Sequence, residues 1–433
     1  VGGEVGGVGH EGGRYQVKYY KGLGTNTAAE GREYFQALGQ HRKTFEPSMP
    51  ADDDAIDLAF SKSRAADRRA WLSADRDVCS FIDPHLSSVS FGDFIHKELV
   101  HFSYADLQRS IPSVVDGLKP SQRKVLFGCF KKNLSKSEAK VVQIAGYIAE
   151  HTAYHHGESS LHSTIINMAQ DYVGANNVPY LQALGQFGTR AQGGRDFASP
   201  RYIFTRLSPL ARLLFPSEDD GLLDYVQEDG QRVEPRYFVP VVPTLLLNGT
   251  HGIGTGWSTY VPPFHLPHVV EAVERRIRGT GELDLEGGLH PYVVGFQGTI
   301  EGVGDTGMGA DTGTGMGGQA EQYRTTGVIR RLSHTQVEIS ELPYGVWTED
   351  YKKVLFTLME GGQIRDFREH HSTDRVRFEV TGVRGQLDLL EKKGLETSFR
   401  LVSNINLTNM HAFDAGGKIC KYTSAGEVLE AHY

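Results

Sequence analysis

The segment 185–207 combines glycine, arginine and a single tyrosine, and these residue types could carry out chemistry on a phosphodiester. Its arginines are Arg190, Arg195, Arg201 and Arg206. A phenol, with an ordinary pKa of about 10, is a poor nucleophile until a base removes its proton and a cation holds the developing charge. Guanidinium groups are planar and permanently charged, and they suit a phosphate. Tyr202, directly after Arg201, is therefore either a nucleophile or a structural tyrosine beside a solvated arginine.

Length and composition describe a globular chain with an uneven charge distribution. The 433 residues exceed one ordinary core and predict two or three domains. At 39% hydrophobic and 23% charged residues the chain is typical of folded proteins, and its formal net charge is -8. The run 119–140 nevertheless holds seven basic residues and one acidic residue, Glu138. An acidic run lies elsewhere, at Asp52, Asp53, Asp54 and Asp57. A local basic face attracts phosphates whatever the net charge is.

Cysteine usage and hydropathy exclude several other classes of protein. Cys79, Cys129 and Cys420 are far apart and form no CxxC pair, which favours free thiols in a reducing compartment over a disulfide scaffold or a zinc knuckle. No apolar run reaches the roughly 18 residues that a membrane-spanning helix requires. The N-terminal residues lack the pattern of a secretory signal.

Hydrophobic periodicity predicts a mixed α+β chain of several domains. Helices are predicted at 28–38, 52–72 (one helix or a helix pair), 91–99, 121–132, 141–151, 158–172, 348–360 and 385–393. Strands are predicted at 14–20, 323–329, 336–339 and 375–380. Ser121 is the expected N-cap of its helix. The glycine-rich residues 1–13 and the Gly/Thr/Met-rich insert at 302–318 are predicted to be disordered.

The three helices between residues 121 and 172 carry basic edges and are followed by a loop and strands. That order is typical of a winged-helix DNA-binding module. On the helix 121–132, apolar residues form one face and the basic residues lie largely off it. A solvated charged helix face explains the same pattern equally well.

Two further motifs could indicate other chemistry. The histidines at 151, 155, 156 and 162 lack the HExxH pattern and geometry of a zinc site, so hydrogen-bonding or proton-relay roles are preferred. The GIGTG sequence at 252–256 is not GxGxxG, and no GxxxxGK[ST] occurs in the chain. The sequence therefore predicts no metal site and no ATP site within these residues.

Blocks of sequence in a fixed order resemble the breakage-reunion region of eukaryotic-type DNA topoisomerase II, a type IIA topoisomerase. They are YYKGLGT (19–25), SIPSVVDGLKPSQRKVLF (110–127), AYHHGESSL (153–161), GQFGTR (185–190), ASPRYIFTRLS (198–208), RLLFP (212–216), EDGQRVEP (228–235) and NGTHGIGTGWST (248–259). A weaker similarity continues in VEISELPYGVWT (337–348).

The resemblance implies a role for each matching residue. Tyr202 would be the nucleophile, and Arg201 would stabilise the charge of the transition state. Ile253 would be the wedge inserted between base pairs, where an apolar side chain kinks the duplex. The remaining positions implied to contact DNA are Lys21, Arg68, Arg69, Lys119, Arg123, Lys124, Tyr154, His155, His156, Arg190, Arg195 and Trp347.

The resemblance also implies an order of domains. A disordered N-terminus (1–13) would precede the end of a metal-binding TOPRIM domain (14–47) and a helical linker (48–99). A winged-helix breakage-reunion domain (100–265) would be followed by a mixed α/β tower domain (266–433). We expect the chain to be one piece of a longer protein.

The implied activity is that of the DNA gate of an ATP-dependent isomerase. It would make a transient double-strand break in duplex DNA through a 5′-phosphotyrosine, as a homodimer in the nucleus and without a membrane. Mg²⁺ ligands are expected upstream, because the acidic TOPRIM motifs are absent from this sequence, and ATP would bind in another domain. The alternative is a catalytically silent fragment or paralogue that binds and bends DNA without a metal site.

Overall fold

The computed structural model describes residues 26–47, 49–74, 81–154, 156–228, 230–279, 288–303, 322–373 and 375–433. The predicted glycine-rich N-terminus, the predicted strand at 14–20 and most of the insert at 302–318 lie outside these residues. The chain divides into two units by its internal contacts. The first unit takes in the described residues up to Ile111 together with 225–233 and 252–258, and the second unit takes in the rest.

The first unit is mainly helical. Its helices are α1 (Ala28–Gln36), α2 (Leu38–His41), α3 (Pro50–Phe60), α4 (Ala65–Ser73), α5 (Phe91–Phe94), a π-helical turn (Ile95–Leu99) and α6 (Val100–Ser110). Two short parallel strands, β1 (Thr44–Phe45) and β2 (Ser88–Val89), pair with each other. The predicted helix at 52–72 is confirmed as the pair α3 and α4. The buried Asp52 accepts hydrogen bonds from the backbone N–H groups of Met49 (3.1 Å) and Gly92 (2.7 Å), which ties α3 to α5.

The second unit begins with three helices that pack on one another, α7 (Pro120–Lys131), α8 (Val141–His151) and α9 (Glu158–Ala169). The prediction for α8 is confirmed at both ends, and α9 is shorter than predicted. Ser121 is not an N-cap, so that prediction was wrong. Pro120 occupies the first position, where its missing N–H and fixed φ suit a helix start. Lys119 is the N-cap, and its backbone N–H donates to Gln122 Oε1 at 2.9 Å.

Further helices and the strands of several small sheets follow in the described part of the chain. The longer helices are α12 (Leu266–Arg278), α13 (Thr348–Glu360), α14 (Gln386–Lys392) and α16 (Ala425–His432), and the short ones are α10 (Ala211–Leu214), α11 (Thr244–Asn248) and α15 (Leu395–Ser398). Strands β3 (Ala139–Lys140) and β4 (Phe204–Thr205) pair antiparallel, as do β16 (Met410–Phe413) and β17 (Ile419–Tyr422). Two further pairs are β5 (Tyr225–Glu228) with β6 (Gln231–Pro235), and β7 (Thr250–Ile253) with β8 (Ser258–Val261).

Two larger antiparallel sheets belong to the second unit. The first has the order β15 (Val402–Asn406), β10 (Gln322–Thr326), β9 (Thr299–Gly302). The second has the order β11 (Val328–Arg331), β12 (Gln336–Glu341), β14 (Phe378–Gly382), β13 (Ile364–Glu369). The single strand predicted at 323–329 is two strands in different sheets. They separate at Gly327, where a Cβ would lie 2.4 Å from the Glu341 carbonyl oxygen.

The second unit contains two hydrophobic cores. The main core joins α7–α9 to residues near the C-terminus such as Leu407 and Val428, so it crosses the boundary predicted at 265/266. The second core lies between 337 and 401 and is built on α13 and the four-stranded sheet. The mixed helix and strand content confirms the predicted α+β class. Among the described residues, no helix is long and apolar enough to cross a membrane.

Candidate active site

Tyr202 presents its phenol to solvent from a tight turn. The side chain is 70% exposed, whereas the next residue, Ile203, is buried in the main core. The backbone N–H of Tyr202 donates to the Ser199 carbonyl at 2.9 Å. Two residues later the chain enters β4, where Phe204 pairs with Lys140 of β3. The hydroxyl is therefore accessible while the backbone on its C-terminal side is anchored.

The first turn of α8 fixes the backbone on both sides of Tyr202. The N–H groups of Val141 and Val142 donate to the carbonyls of Ile203 (3.1 Å) and Pro200 (3.2 Å). N–H groups in the first turn of a helix have no partner within the helix. Here the segment around the tyrosine supplies those partners, so the position of Tyr202 depends on α8.

Arg201 is the cation nearest to the phenol in sequence and lies beside it in space. Its guanidinium carbon is 6.0 Å from the centre of the Tyr202 ring. Arg201 is exposed, and within the described part of the chain it forms no ion pair. Arg195 is exposed as well. Arg195 also interacts electrostatically with Asp350, and phosphate contacts of the two arginines stay a prediction.

The glycine-rich segment before Tyr202, here called the tyrosine loop (residues 185–200), is tightly tied down. The side-chain amide of Gln170 donates to the carbonyls of Phe187 (2.8 Å) and Gly194 (3.0 Å). Gly188 approaches Gly194 so closely that a Cβ on Gly188 would lie 2.4 Å from the Gly194 carbonyl oxygen. Asp196 accepts from the backbone and hydroxyl of Thr189, at 2.9 and 2.5 Å.

Arg190 is buried in the tyrosine loop and pairs with the buried Glu341, at the end of β12. Its Nη1 lies 3.2 Å from Glu341 Oε2, and its Nη2 contacts Oε1. In the structure the Arg190 guanidinium neutralises a buried carboxylate, and its predicted contact with DNA stays a prediction.

Trp347 supports the same loop from the other side. It is the N-cap residue of α13, and its half-buried indole lies against Gly193, where a Cβ would come within 2.5 Å of Nε1. The backbone N–H of Glu349 donates to the Ala191 carbonyl at 3.0 Å. Trp347 thus packs against the tyrosine loop, and its predicted contact with DNA stays a prediction.

Two predicted DNA contacts on α7 are engaged within the protein. Arg123 is buried and forms a bidentate pair with the fully buried Asp116, at 2.6 and 2.9 Å. Lys124 is largely buried, with its ammonium 2.9 Å from Glu234 and 2.6 Å from the Thr152 carbonyl. In the structure Asp116 and Glu234 balance these two cations, and their predicted contacts with DNA stay predictions.

Lys119 and the residues of the AYHH motif differ in how exposed their side chains are. Lys119 is half-buried and donates to the His251 carbonyl at 2.6 Å, and burial lowers the pKa of its ammonium. The ring of Tyr154 is buried, with no hydrogen-bond partner for its hydroxyl among the described residues. His156 is exposed and lies edge-on to Tyr154 at 5.4 Å. Lys21 and His155 lie outside the described residues.

Ile253 lies in the first unit as the last residue of β7, in the segment here called the hairpin tip (residues 252–258). Its side chain is 71% exposed, so it is not a core residue. Asp106 holds the tip by accepting from the N–H and hydroxyl of Thr255, both at 3.0 Å. Arg69 is exposed and donates to the Gly256 carbonyl at 2.8 Å.

Arg68 lies beside the hairpin tip and has a structural role. Its guanidinium donates to the carbonyls of Leu58 (2.9 Å) and Ser61 (2.7 Å). These bonds close the connection between α3 and α4, so the structure does not support Arg68 as a free phosphate ligand. Of the predicted basic residues that the structure describes in this unit, Arg69 is exposed beside the tip.

Within the described ranges no group of three or more His, Cys, Asp or Glu side chains could hold a metal ion. The described residues therefore offer no ligand set for the Mg²⁺ that the resemblance implies. No nucleotide-binding loop occurs in the sequence either.

Sequence patterns missed three residues that shape the site. Gln170, Asp196 and Glu341 hold the tyrosine loop, and each acts through contacts within the fold. Only Asp196 is close in sequence to its partner. Glu341 lies 151 positions from Arg190, so no local signal could have paired them.

Family models and known proteins are similar to this chain over nearly its whole length. Residues 109–433 match the family described as the A subunit of DNA gyrase/topoisomerase IV, and residues 8–107 match the C-terminal associated domain of TOPRIM. DNA topoisomerase 2 of Meyerozyma guilliermondii is 44% identical over 422 residues, covering 97% of this chain and 29% of that protein. The Arabidopsis thaliana enzyme is 45% identical, covering 97% and 28%.

A solved structure gives the same result at the level of the fold. The Plasmodium falciparum topoisomerase II DNA-binding, cleavage and re-ligation domain matches with a TM-score of 0.79 and 41% identity, covering 96% of this chain and 54% of that one. The chain spans less than a third of the length of the two curated relatives. By sequence and by fold, this chain belongs to the DNA gyrase/topoisomerase IV family and is similar to eukaryotic DNA topoisomerase 2.

Proposed function

We propose that this chain is the DNA-gate core of a type IIA DNA topoisomerase, and that Tyr202 is the nucleophile. The observation that carries the proposal is the solvent-exposed phenol on a backbone fixed by α8, beside an unpaired arginine. Positioning of this kind lowers the entropic part of a barrier. The family match supports the type of reaction.

The proposed step is a transesterification that conserves a phosphodiester. The Tyr202 oxygen attacks the phosphorus, an O–P bond forms to the 5′ phosphate, and the bond to the 3′ oxygen breaks. The phenol proton leaves to a base, and the departing 3′ oxygen takes up a proton. Because the phosphotyrosine ester retains the energy of the broken bond, the reverse attack by the 3′ hydroxyl reseals the strand without another energy source.

Exposed cations would stabilise the charge that spreads over the phosphoryl oxygens. Arg201 would take this role, and Arg195 would contact the duplex nearby. Arg69, Lys119 and His156 are further proposed backbone contacts, together with Lys21 and His155. Such contacts position a duplex without reading its sequence, so little base specificity is expected.

Ile253 would kink the bound duplex. Its exposed side chain and the glycines around it resemble the apolar wedges that enter between base pairs. This role is compatible with the active enzyme and also with a silent DNA-bending module. Covalent chemistry at Tyr202 is what distinguishes the two functions.

The remaining features of the proposal concern assembly and cofactors. One tyrosine per subunit cuts one strand, so a double-strand break favours a two-fold homodimer. We propose that Mg²⁺ and ATP serve the complete enzyme through residues outside this chain, and that the enzyme acts in the nucleus.

A Tyr202→Phe variant of the full-length protein tests the proposal. It keeps the ring and removes the hydroxyl, so covalent adducts trapped by detergent should vanish while duplex binding stays intact. Tyr433→Phe is a matched control, because Tyr433 is also exposed and has the Arg276 guanidinium 4.4 Å from its ring centre. Adducts that persist in Tyr202→Phe would exclude this nucleophile. A wild-type protein that bends DNA without forming adducts would favour the silent module.

A further inference from the structure

The tyrosine loop is connected to the second core through one carboxylate. Glu341 ends β12 and is 1% exposed. It accepts from both terminal nitrogens of Arg190, from the backbone N–H of Leu342 (2.7 Å) and from that of Gln297 (3.1 Å). Every oxygen of this carboxylate is engaged, so its position is fixed by the sheet and it fixes Arg190 in turn.

Arg190 lies inside the most constrained part of the tyrosine loop. Its neighbour Thr189 is bonded to Asp196, and the Gly194 N–H donates to the Thr189 carbonyl at 2.8 Å. The Ala198 N–H then donates to the Gln186 carbonyl at 2.9 Å, which closes the loop just before Tyr202. A displacement of Arg190 is therefore transmitted along a short bonded path to the turn that carries the phenol.

We propose that Glu341 is a positioning residue for the cleavage reaction, acting through Arg190 on the orientation of Tyr202. The inference rests on the proposed function of Tyr202. It assigns a role to the second core, since Glu341 ends strand β12 of its four-stranded sheet and its helix α13 follows directly on Trp347. Because the reacting atoms must be aligned closely, a shift of about 1 Å costs roughly a hundredfold in rate.

The test compares two glutamates of the same strand. Glu341→Gln keeps the shape of the side chain and removes its charge. Glu338→Gln is the matched control, since Glu338 pairs with Arg330 (2.9 Å) and Arg377 (2.7 Å) and has no bond to the tyrosine loop. Single-turnover adduct formation and duplex Kd are measured in the full-length protein, and amide hydrogen exchange is measured for residues 185–200.

Glu341→Gln should slow adduct formation by about tenfold or more and leave the duplex Kd unchanged. Amides of the tyrosine loop should exchange faster, while those of α8 stay protected, because the opening is local. Glu338→Gln should behave as the wild type in all three measurements. A normal rate of adduct formation in Glu341→Gln would overturn the proposal.

A double variant shows whether Glu341 acts through Arg190. If it does, Glu341→Gln with Arg190→Gln should be no slower than the slower single variant, because residues acting as one unit are not additive. If the rate losses of the two single variants instead multiply in the double variant, Glu341 does not act through Arg190.

Gln170→Leu covers the case in which Glu341→Gln fails to fold. It releases the loop carbonyls of Phe187 and Gly194 without leaving a buried charge unpaired. The same selective loss of rate is expected, and an unchanged rate would contradict the positioning role of the loop. If the wild type forms no adducts, the proposed function itself is rejected. If the wild type forms adducts and Glu341→Gln forms them at the same rate, only the positioning role of Glu341 is rejected.

Discussion

The tyrosine loop and the hairpin tip are both rich in glycine, and each leads to one exposed side chain, but they are supported differently. Tyr202 and Ile253 are exposed to the same degree, 70% and 71%. The tyrosine loop is held by a buried ion pair and a buried amide. The hairpin tip is held by the partly exposed Asp106 and the exposed Arg69.

The difference follows the precision that each proposed role requires. A nucleophile must be held within about 0.5 Å of its productive position, and buried, fully bonded partners provide that. A wedge residue must be exposed and must keep its position against the bases, and a few surface hydrogen bonds are sufficient for that. Glycine content alone therefore does not indicate flexibility, since in the tyrosine loop it permits close packing.

The largest expected difference in stability lies between variants of two arginines of the tyrosine loop, Arg190 and Arg195. Arg190→Met leaves the buried Glu341 without its cation and should lower the free energy of unfolding by about 3–5 kcal/mol. Arg195→Met alters an exposed side chain and should change it by less than about 0.5 kcal/mol. Chemical denaturation of both variants measures the contrast. Equal stabilities would mean that the Arg190–Glu341 pair does not hold the loop.

Glycine-to-alanine changes compare the two regions directly. Gly194 and Gly256 both have left-handed backbones, with φ of +76° and +81°. Either substitution should therefore cost about 1–2 kcal/mol. At Gly194 the new Cβ would also lie 2.4 Å from Gln170 Nε2, whereas at Gly256 the nearest atom is 3.5 Å away.

Overpacking of this kind adds about 1–3 kcal/mol, so Gly194→Ala should be clearly the less stable variant. The difference is measured from the denaturation midpoints of the two proteins. If Gly256→Ala were equally destabilised, the hairpin tip would be as tightly packed as the tyrosine loop.

Local features of the chain were predictable from sequence, and long-range pairings were not. Periodicity located α8 and α13, and the sequence blocks identified Tyr202 and Ile253 as candidates, both of which are exposed. The burial of Arg190 depends on a carboxylate 151 positions away, and that of Arg123 depends on how Asp116 is enclosed by the fold. The sequence shows that a charged residue needs a partner, but it does not show which residue that partner is.

Backbone contacts between distant segments were equally hidden. The strand predicted at 323–329 divides at Gly327 because the Glu341 carbonyl approaches there, and strand propensity contains no information about that approach. The start of α7, by contrast, follows a local rule, because proline is common at the first position of a helix. The prediction instead made Ser121 the N-cap, although α7 starts at Pro120.

Ile253→Ala tests the proposed wedge. Because the side chain is exposed, the melting temperature should be nearly unchanged, whereas burial in a core would make the same truncation cost about 2–5 kcal/mol. DNA bending, measured by energy transfer between the duplex ends, should fall strongly. Preserved bending with a lowered melting temperature would assign Ile253 to packing.

The smallest expected effect is a change in the salt dependence of duplex binding, and it separates cations free to meet DNA from those used in folding. Arg195→Gln and Arg201→Gln should each reduce the log–log slope of affinity against salt by about 0.9, because each loses one phosphate contact. Arg278→Gln is a control, since Arg278 is exposed and pairs with Glu274 on α12. Its slope should match that of the wild type.

The basic run at 119–140 should contribute less to that slope than its seven positive charges suggest. Arg123 and Lys124 are neutralised by Asp116 and Glu234, and Lys119 is half-buried against a carbonyl. The exposed Lys131 and Lys136 remain available, so Gln substitutions there should each lower the slope as the arginine changes do. If the salt slope of the wild type is near zero, this surface does not face DNA. If the salt slope is unchanged in every variant, the phosphate contacts are made by other residues.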